Sequence, residues 1–416
     1  KRQVRFNYDG YYQQRIDTPY LRTNQKLENS SWEESLKILI SKLKNSRPLA
    51  LIGELVDVET GYAVKKFMSN YGNNNVECRT DNQFIHESLN SFRFNTPINI
   101  IEEADLVLLI GANPKIETPI INHKIFKAFN NGAEVFNIGE DILLNYETKY
   151  LGKQLTELNN EKLIKSINKS KNPLIIVGSA FLNSLKNINT FKSIVSFSRK
   201  HKVITDNKNN LNFLNPFASR VGQLLIGNTT EQNCEPFSKL KNKNFDIVLS
   251  FGSEKIVDPS FDNCFRVYFG HHGDEGAMKS DLVLPTPLFT EKNGIFVNIE
   301  GRPQEAKKCH NPIGASKEEW AIIKRLSEEL LLEFKPNTFD QLREELFNEY
   351  PKLFDFNEII QEDSSLPIVE NISFEECKIS YPFENFYMSD IVSKNSVTMA
   401  KCVDEIMIKP LMEKSA

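Results

Sequence analysis

The chain has 416 residues, 40% hydrophobic and 25% charged, with a formal net charge of −4. That apolar share supports two or three buried cores, and the slightly acidic balance excludes the basic face of a nucleic-acid binder. No apolar run reaches the roughly 20 residues of a membrane-spanning helix. Six cysteines stand far apart, at Cys78, Cys234, Cys264, Cys309, Cys377 and Cys402. None forms a Cys-x-x-Cys pair, which excludes a zinc ribbon or a ferredoxin-type run and leaves reduced thiols as the expectation.

In chain order, Ser31-Trp-Glu-Glu34 reads as a capping box that opens a helix carrying Leu36, Ile38 and Leu39. Four apolar runs then end in glycine: Leu49–Gly53, Asp105–Gly111, Leu174–Gly178 and Asp246–Gly252. Continuous apolar runs suit strands covered on both faces, as in parallel sheets, and the glycine lets the chain turn. After Gly111, residues Ile121, Ile125, Ala128 and Phe129 share one helical face. Asn130-Asn131-Gly132 ends that helix before a strand at Glu134–Ile138, which completes a strand–helix–strand unit. Asp281–Leu284 is a short strand stopped by Pro285. Glu291-Lys-Asn-Gly294 reads as a turn in which Asn-Gly supplies positive φ. Ile295–Ile299 follows as a strand, and Glu300-Gly-Arg302 turns again. Ser316 and Thr338 are expected to cap two further helices. Trp32 and Trp320 are expected as core anchors. From Asp363 onward the pattern breaks into an extended tail that orders by docking on a surface.

Chemistry-bearing constellations are few. The Gly111-Ala-Asn-Pro114 turn places a strand end before a helix start, a natural anion site, yet such a turn also stands without a ligand. His271-His272-Gly273-Asp274 reads as a polar turn, with neighbouring rings pointing different ways. Cys309-His310 lacks the two further ligands of a structural zinc site. Gly-x-Ser-x-Gly and Gly-x-x-x-x-Gly-Lys-Ser/Thr patterns are absent from the sequence. Arg302 is expected to tie the late strand pair to the core.

The stretch Ser280–Gln304 resembles the signature late in the molybdopterin oxidoreductase family, and its wording is similar to one branch, the large iron–sulfur subunit of respiratory complex I. Arg5–Gly10, Glu102–Glu117, Asn145–Gly152 and Phe386–Cys402 resemble further segments of that branch, in the same order. The resemblance implies an α/β fold of doubly wound, mostly parallel sheets with an extended C-terminal tail. It divides the chain into a lead-in segment at 1–29, α/β units at 30–155 and 156–280, a return region at 281–334, a helical segment at 335–362 and a tail at 363–416. In active relatives a metal ligand follows the segment similar to Asn74–Arg79, but Thr80–His86 offers no Cys or Ser, Asp81 lies early for the Asp ligand of one branch, and Cys78 falls at a non-ligand position. No catalytic, cofactor-binding or metal-binding residue is therefore expected.

The function implied is a scaffold, without its own redox centre, in the peripheral arm of a complex that passes electrons from NADH to ubiquinone and pumps protons. The family's N-terminal part binds one [2Fe-2S] and two [4Fe-4S] clusters, and no position here matches those ligands. Since the sequence starts at Lys1, that part is expected on a separate polypeptide or on a longer chain of which this is a piece. Implied partners are other peripheral-arm subunits, with no nucleic acid and no direct membrane span. The implied location is the matrix side of the mitochondrial inner membrane, or the cytoplasmic face of an alphaproteobacterial membrane. Alternatives are an active molybdopterin oxidoreductase of formate-dehydrogenase type and a nucleotide-binding regulatory module at the Gly111 turn.

Overall fold

The protein is described here from a computed structural model, covering residues 7–185, 188–230, 240, 243–361, 365–374 and 386–409. Cys234, Cys377, Phe383 and the tail's first residues, Asp363 and Ser364, lie outside the described residues. Two main sheets carry the architecture. The larger has seven strands, in the order Lys26–Asn29, Tyr20–Thr23, Leu282–Pro285, Phe265–Gly270, Ile247–Phe251, Pro48–Ile52, Val76–Glu77. Tyr20–Thr23 and Lys26–Asn29 form an antiparallel edge, and the other five strands run parallel. The smaller sheet is all parallel, in the order Leu211–Phe213, Pro173–Val177, Leu106–Ile110, Glu134–Ile138, Lys149–Gly152.

The four glycine-ended runs are the centres of these sheets, and all five residues of each strand are buried. Their side chains divide by period two between a core on either face. Ala50 and Ile52 enter one core while Leu49 and Leu51 enter the opposite one. Leu106, Leu108 and Ile110 likewise oppose Val107 and Leu109. Burial on both faces is the reason these runs read as continuously apolar. The glycines work in pairs. Gly111 and Gly252 take positive φ, +55° and +63°. Gly178 and Gly53 instead lie against those turns, where a β-carbon would stand 2.2 Å from the Gly111 oxygen and 2.0 Å from the Gly252 oxygen. Each sheet draws strands from both sides of residue 155.

Helix starts follow the sequence in two of three places. Ser31 accepts from Glu34 N at 3.1 Å, but the Glu34 carboxylate takes Ser30 Oγ and not the Ser31 backbone. Thr338 caps Phe339–Glu349 by accepting from Gln341 N. Ser316 is not a cap. The helix runs Glu319–Glu329, because Ala315 N and Lys317 N are tied to the Asp17 and Pro285 carbonyls and Glu319 is drawn into a buried ion pair. The two tryptophans sit at the rim of the core, half-buried. Trp32 Nε1 donates to the Ala315 oxygen and Trp320 Nε1 to Glu318. The Glu291–Gly294 turn holds neither Asn293 nor Gly294 at positive φ. Gly294 is required by space, since a β-carbon there would lie 2.7 Å from Asp57 Cβ.

The tail has two described parts. Residues 365–374 run without regular structure over the smaller sheet's core, where Leu366 is buried and Val369 exchanges backbone bonds with Ser196 Oγ. Residues 386–409 include the short helices Ile391–Lys394 and Val397–Val403. These lie against the 3-10 turn Tyr8–Tyr11.

Candidate functional site

In open α/β sheets ligands bind in the crevice beyond the carboxyl ends of the strands. Here the ends of Pro48–Ile52, Ile247–Phe251 and Phe265–Gly270 converge on a cavity of about 90 Å³, lined by Glu54, Tyr268, His271, Asp274, Lys292 and the tail's Lys394 among others. Glu54 also borders a neighbouring cavity of about 240 Å³, whose wall includes Glu117, Phe217 and the tail's Phe386. Burial pushes the Glu54 carboxyl up to about 8; Glu254, Asp81 and Asp390 add to the shift and Lys394 opposes it. Burial also lifts Asp274 to about 6, against the hydrogen bond it accepts from Tyr268 Oη at 2.5 Å. The site is therefore acid-rich, with protons held where solvent would remove them.

The two histidines meet, contrary to the expectation of diverging rings. Their Nδ1 atoms are 2.5 Å apart. His272 Nε2 faces the Gly10 carbonyl at 2.8 Å and so carries the hydrogen. With burial keeping both rings neutral, His272 Nδ1 then accepts from His271 Nδ1–H. This is a fixed tautomer chain anchored on backbone. Among the described residues no group of three or more His, Cys, Asp or Glu is arranged to hold a metal.

Ion pairs hold the segment at Glu77–Gln83. Glu77 and Arg79, both wholly buried, form a two-pronged pair at 2.9 Å on each side. Cys78 lies between them in sequence and is itself buried, and burial raises its thiol to about 12. Asp81 accepts from Arg220 at 2.6 Å, and Gln83 accepts from the same guanidinium at 3.0 Å.

At the Gly111 turn the helix Pro114–Glu117 is four residues long. The chain supplies its own carboxyl group there, which burial pushes up in pKa against the hydrogen bonds it accepts. Glu117 accepts from Asn113 N at 2.7 Å, from Ser179 N at 3.1 Å and from Ser179 Oγ at 2.7 Å. One carboxylate thus bridges the ends of two adjacent parallel strands. A pterin nucleotide does not fit these residues. Of the lysines that border the crevice, Lys292 is taken by Asp57 and Glu319 and Lys394 by Glu254, where a pyrophosphate needs cations of its own.

The signature segment contributes charges that sequence reading took for a turn. Lys292 is buried between Asp57 and Glu319, at 2.7 Å from each. Glu291 accepts from Arg15 at 2.7 Å and from Leu288 N at 2.8 Å. The available signal was two adjacent charges inside a stretch otherwise built to be buried. Arg302 donates to the Asn357 carbonyl at a part-exposed position, so it joins the hairpin turn to a loop, not to the buried core. Cys309 is exposed, and His310 reaches Thr290 Oγ1 at 3.1 Å.

Comparison with known proteins identifies the family. The family model for molybdopterin oxidoreductase matches residues 15–329, and the model for the C-terminal part of the NADH-ubiquinone oxidoreductase G subunit matches residues 361–402. The chain is 35% identical to the NADH-quinone oxidoreductase G subunit of Rickettsia bellii over 96% of its length and 59% of that protein's. It is 31% identical to the 75 kDa NADH-ubiquinone oxidoreductase subunit of Reclinomonas americana, covering 96% of this chain and 62% of the relative. The chain thus spans about three-fifths of these relatives. Among solved structures, a chain of the formyltransferase/hydrolase complex FhcABCD from Methylorubrum extorquens shares the fold. Its TM-score is 0.56 at 13% identity, over 76% of this chain and 99% of that one. By its sequence, the chain belongs to the molybdopterin oxidoreductase family.

Proposed function

We propose that this chain is the part of the large iron–sulfur subunit of respiratory complex I that carries no redox centre, serving as a scaffold while electrons pass from NADH to ubiquinone elsewhere in the peripheral arm. One observation carries the reading. The segment that matches the complex I C-terminal family model is the segment that seats Ile391 and Lys394 over the strand-end crevice. The chain's own groups also satisfy one another around this crevice: Glu117 fills the anion turn, Arg220 holds Asp81, and Cys78 is buried as a protonated thiol.

On this reading, no residue of the chain is catalytic, cofactor-binding or metal-binding. The clusters belong to the remaining part of the large iron–sulfur protein, and the partners are the other peripheral-arm subunits. No helix among the described residues is long and apolar enough to cross a membrane. The location proposed is therefore the membrane surface, on the matrix side in mitochondria or the cytoplasmic side in bacteria. Elemental analysis of the purified chain tests the reading. Molybdenum, tungsten and iron are expected far below one atom per chain. A stoichiometric amount of any of them would overturn it in favour of an active oxidoreductase.

A further inference from the structure

The first and last described stretches of the chain meet at the mouth of the crevice. Asp9 accepts from Ser396 Oγ at 2.5 Å and from Thr398 N at 2.9 Å. On the opposite flank Lys394 Nζ donates to Glu254 at 2.7 Å. Ile391, one turn before Lys394, lines the cavity. The fit is close: a β-carbon on Gly10 would stand 2.2 Å from the Val392 carbonyl oxygen. The segment is also shaped for the role by its own bonds. Asp390 and Ser393 form a complete capping box, and Ser393 is buried.

The lead-in segment is in turn bound to the strand-end turn that carries the two histidines. His272 Nε2 donates to the Gly10 oxygen, Ile16 N donates to the His271 oxygen at 3.1 Å, and Gly273 N donates to the Gln14 oxygen at 2.7 Å. Arg15 adds the His271 oxygen at 3.0 Å and the buried Glu291. Three segments distant in sequence therefore share one set of contacts, with the lead-in as the middle layer.

We propose that residues 386–403 are a strap that takes the place of a ligand at the crevice mouth, and that it opens only together with residues 8–17 and the His271–Gly273 turn, as one cooperative unit. The proposal rests on reading the crevice as given over to the chain's own side chains. The physical argument is one of local stability. Few large apolar side chains anchor the strap, chiefly Val392 and Met399. Its opening therefore costs less than opening either sheet, and contacts shared through the lead-in pass that opening to the histidine turn.

Native-state hydrogen exchange on the full chain tests this. Lys394→Met removes the outer anchor, and Gly10→Ala presses the strap away without removing a polar group. Each is expected to speed exchange in all three segments by about tenfold, and by the same factor, while the central strand Pro173–Val177 stays unchanged. The amides of Ile16 and Gly273 are the reporters. Loss of protection in 391–399 alone, with Ile16 and Gly273 still protected in either variant, overturns the proposal. Should a variant lose protection in Pro173–Val177, and so fail to fold, the native chain in graded urea gives the answer instead. One shared opening free energy for the three segments supports the unit, and separate values overturn it. Metal analysis is independent of this outcome, so failure of the scaffold reading and failure of the strap are told apart.

Discussion

The Lys292 ammonium stands 2.7 Å from the Glu319 carboxylate, and neither side chain is more than 8% exposed. Asp57 completes the group at 2.7 Å from the same nitrogen. Burial works against the charge on Lys292, but the two carboxylates outweigh it and hold its pKa above the ordinary lysine value. Glu319 moves upward, chiefly through burial and with Asp57 adding, while Lys292 opposes. The signature segment is thereby fastened to two helices, at one end Val58–Asn70 through its cap Asp57 and at the other Glu319–Glu329.

Lys292→Met should be among the most damaging single changes in the chain. It leaves buried carboxylates without a cation, a loss of about 3–5 kcal/mol. Replacing the pair together, as Lys292→Met with Glu319→Leu, should recover part of that loss, because a buried ion pair contributes little beyond an apolar one of equal volume. Urea unfolding of the two variants checks this through the midpoint at constant slope. A double variant less stable than the single would contradict it.

Thiol chemistry should separate the cysteines cleanly. Cys309 is exposed, whereas Cys78 is buried with its thiol pushed up to about 12. Because the thiolate is the reactive form, iodoacetamide at pH 8 should label Cys309 within minutes and Cys78 only on unfolding. Peptide mass spectrometry reads the order, and early labelling of Cys78 would show that its pocket is open.

Stability should fall as pH rises through the range set by Glu54. The unfolded chain releases this proton near 4.5, while the folded chain keeps it to about 8. Between those values the folded state binds more protons than the unfolded one. The proton's contribution is complete below 4.5 and is lost as pH climbs toward 8. Glu54→Gln removes Glu54's share of the dependence, while buried Glu59, also pushed up to about 8, keeps its own. The variant's melting temperature should exceed that of the native chain at pH 8, with the difference closing toward pH 5. An equal difference at both pH values would place the Glu54 proton elsewhere.

The Glu117 carboxylate should be replaceable by a free anion. Glu117→Ala leaves the Asn113 and Ser179 N–H groups without an acceptor, at about 1–3 kcal/mol. Inorganic phosphate at tens of millimolar should then raise the melting temperature of the variant while leaving the native chain unmoved. If both respond alike, the turn is not an anion seat, and Glu117 acts by packing alone.

Much of the framework was legible in local sequence. The four apolar runs ending in glycine are the central parallel strands, because a strand covered on both faces has no polar side to display. The helix starts at Ser31 and Thr338 were readable because a cap is a contact between residues three apart. Ser316 failed for the opposite reason. The residues on either side of it are held by Asp17, Pro285 and Lys292, all remote in sequence, and these contacts outweigh a local cap. The meeting of His271 with His272 was hidden too, because it depends on the Gly10 carbonyl, 262 positions away.

Sequence alone thus determined the four central strands, that they pack in covered parallel sheets, and that Thr80–His86 holds no Cys or Ser. The tertiary structure decided which strands share a sheet, which carboxylates share Lys292, and that the chain's own tail closes the crevice. The division has a physical cause. Burial periodicity and capping act over a few residues and are written in local order. A buried charge can be satisfied by any opposite charge the fold brings within about 3 Å, and only the folded chain fixes which one that is.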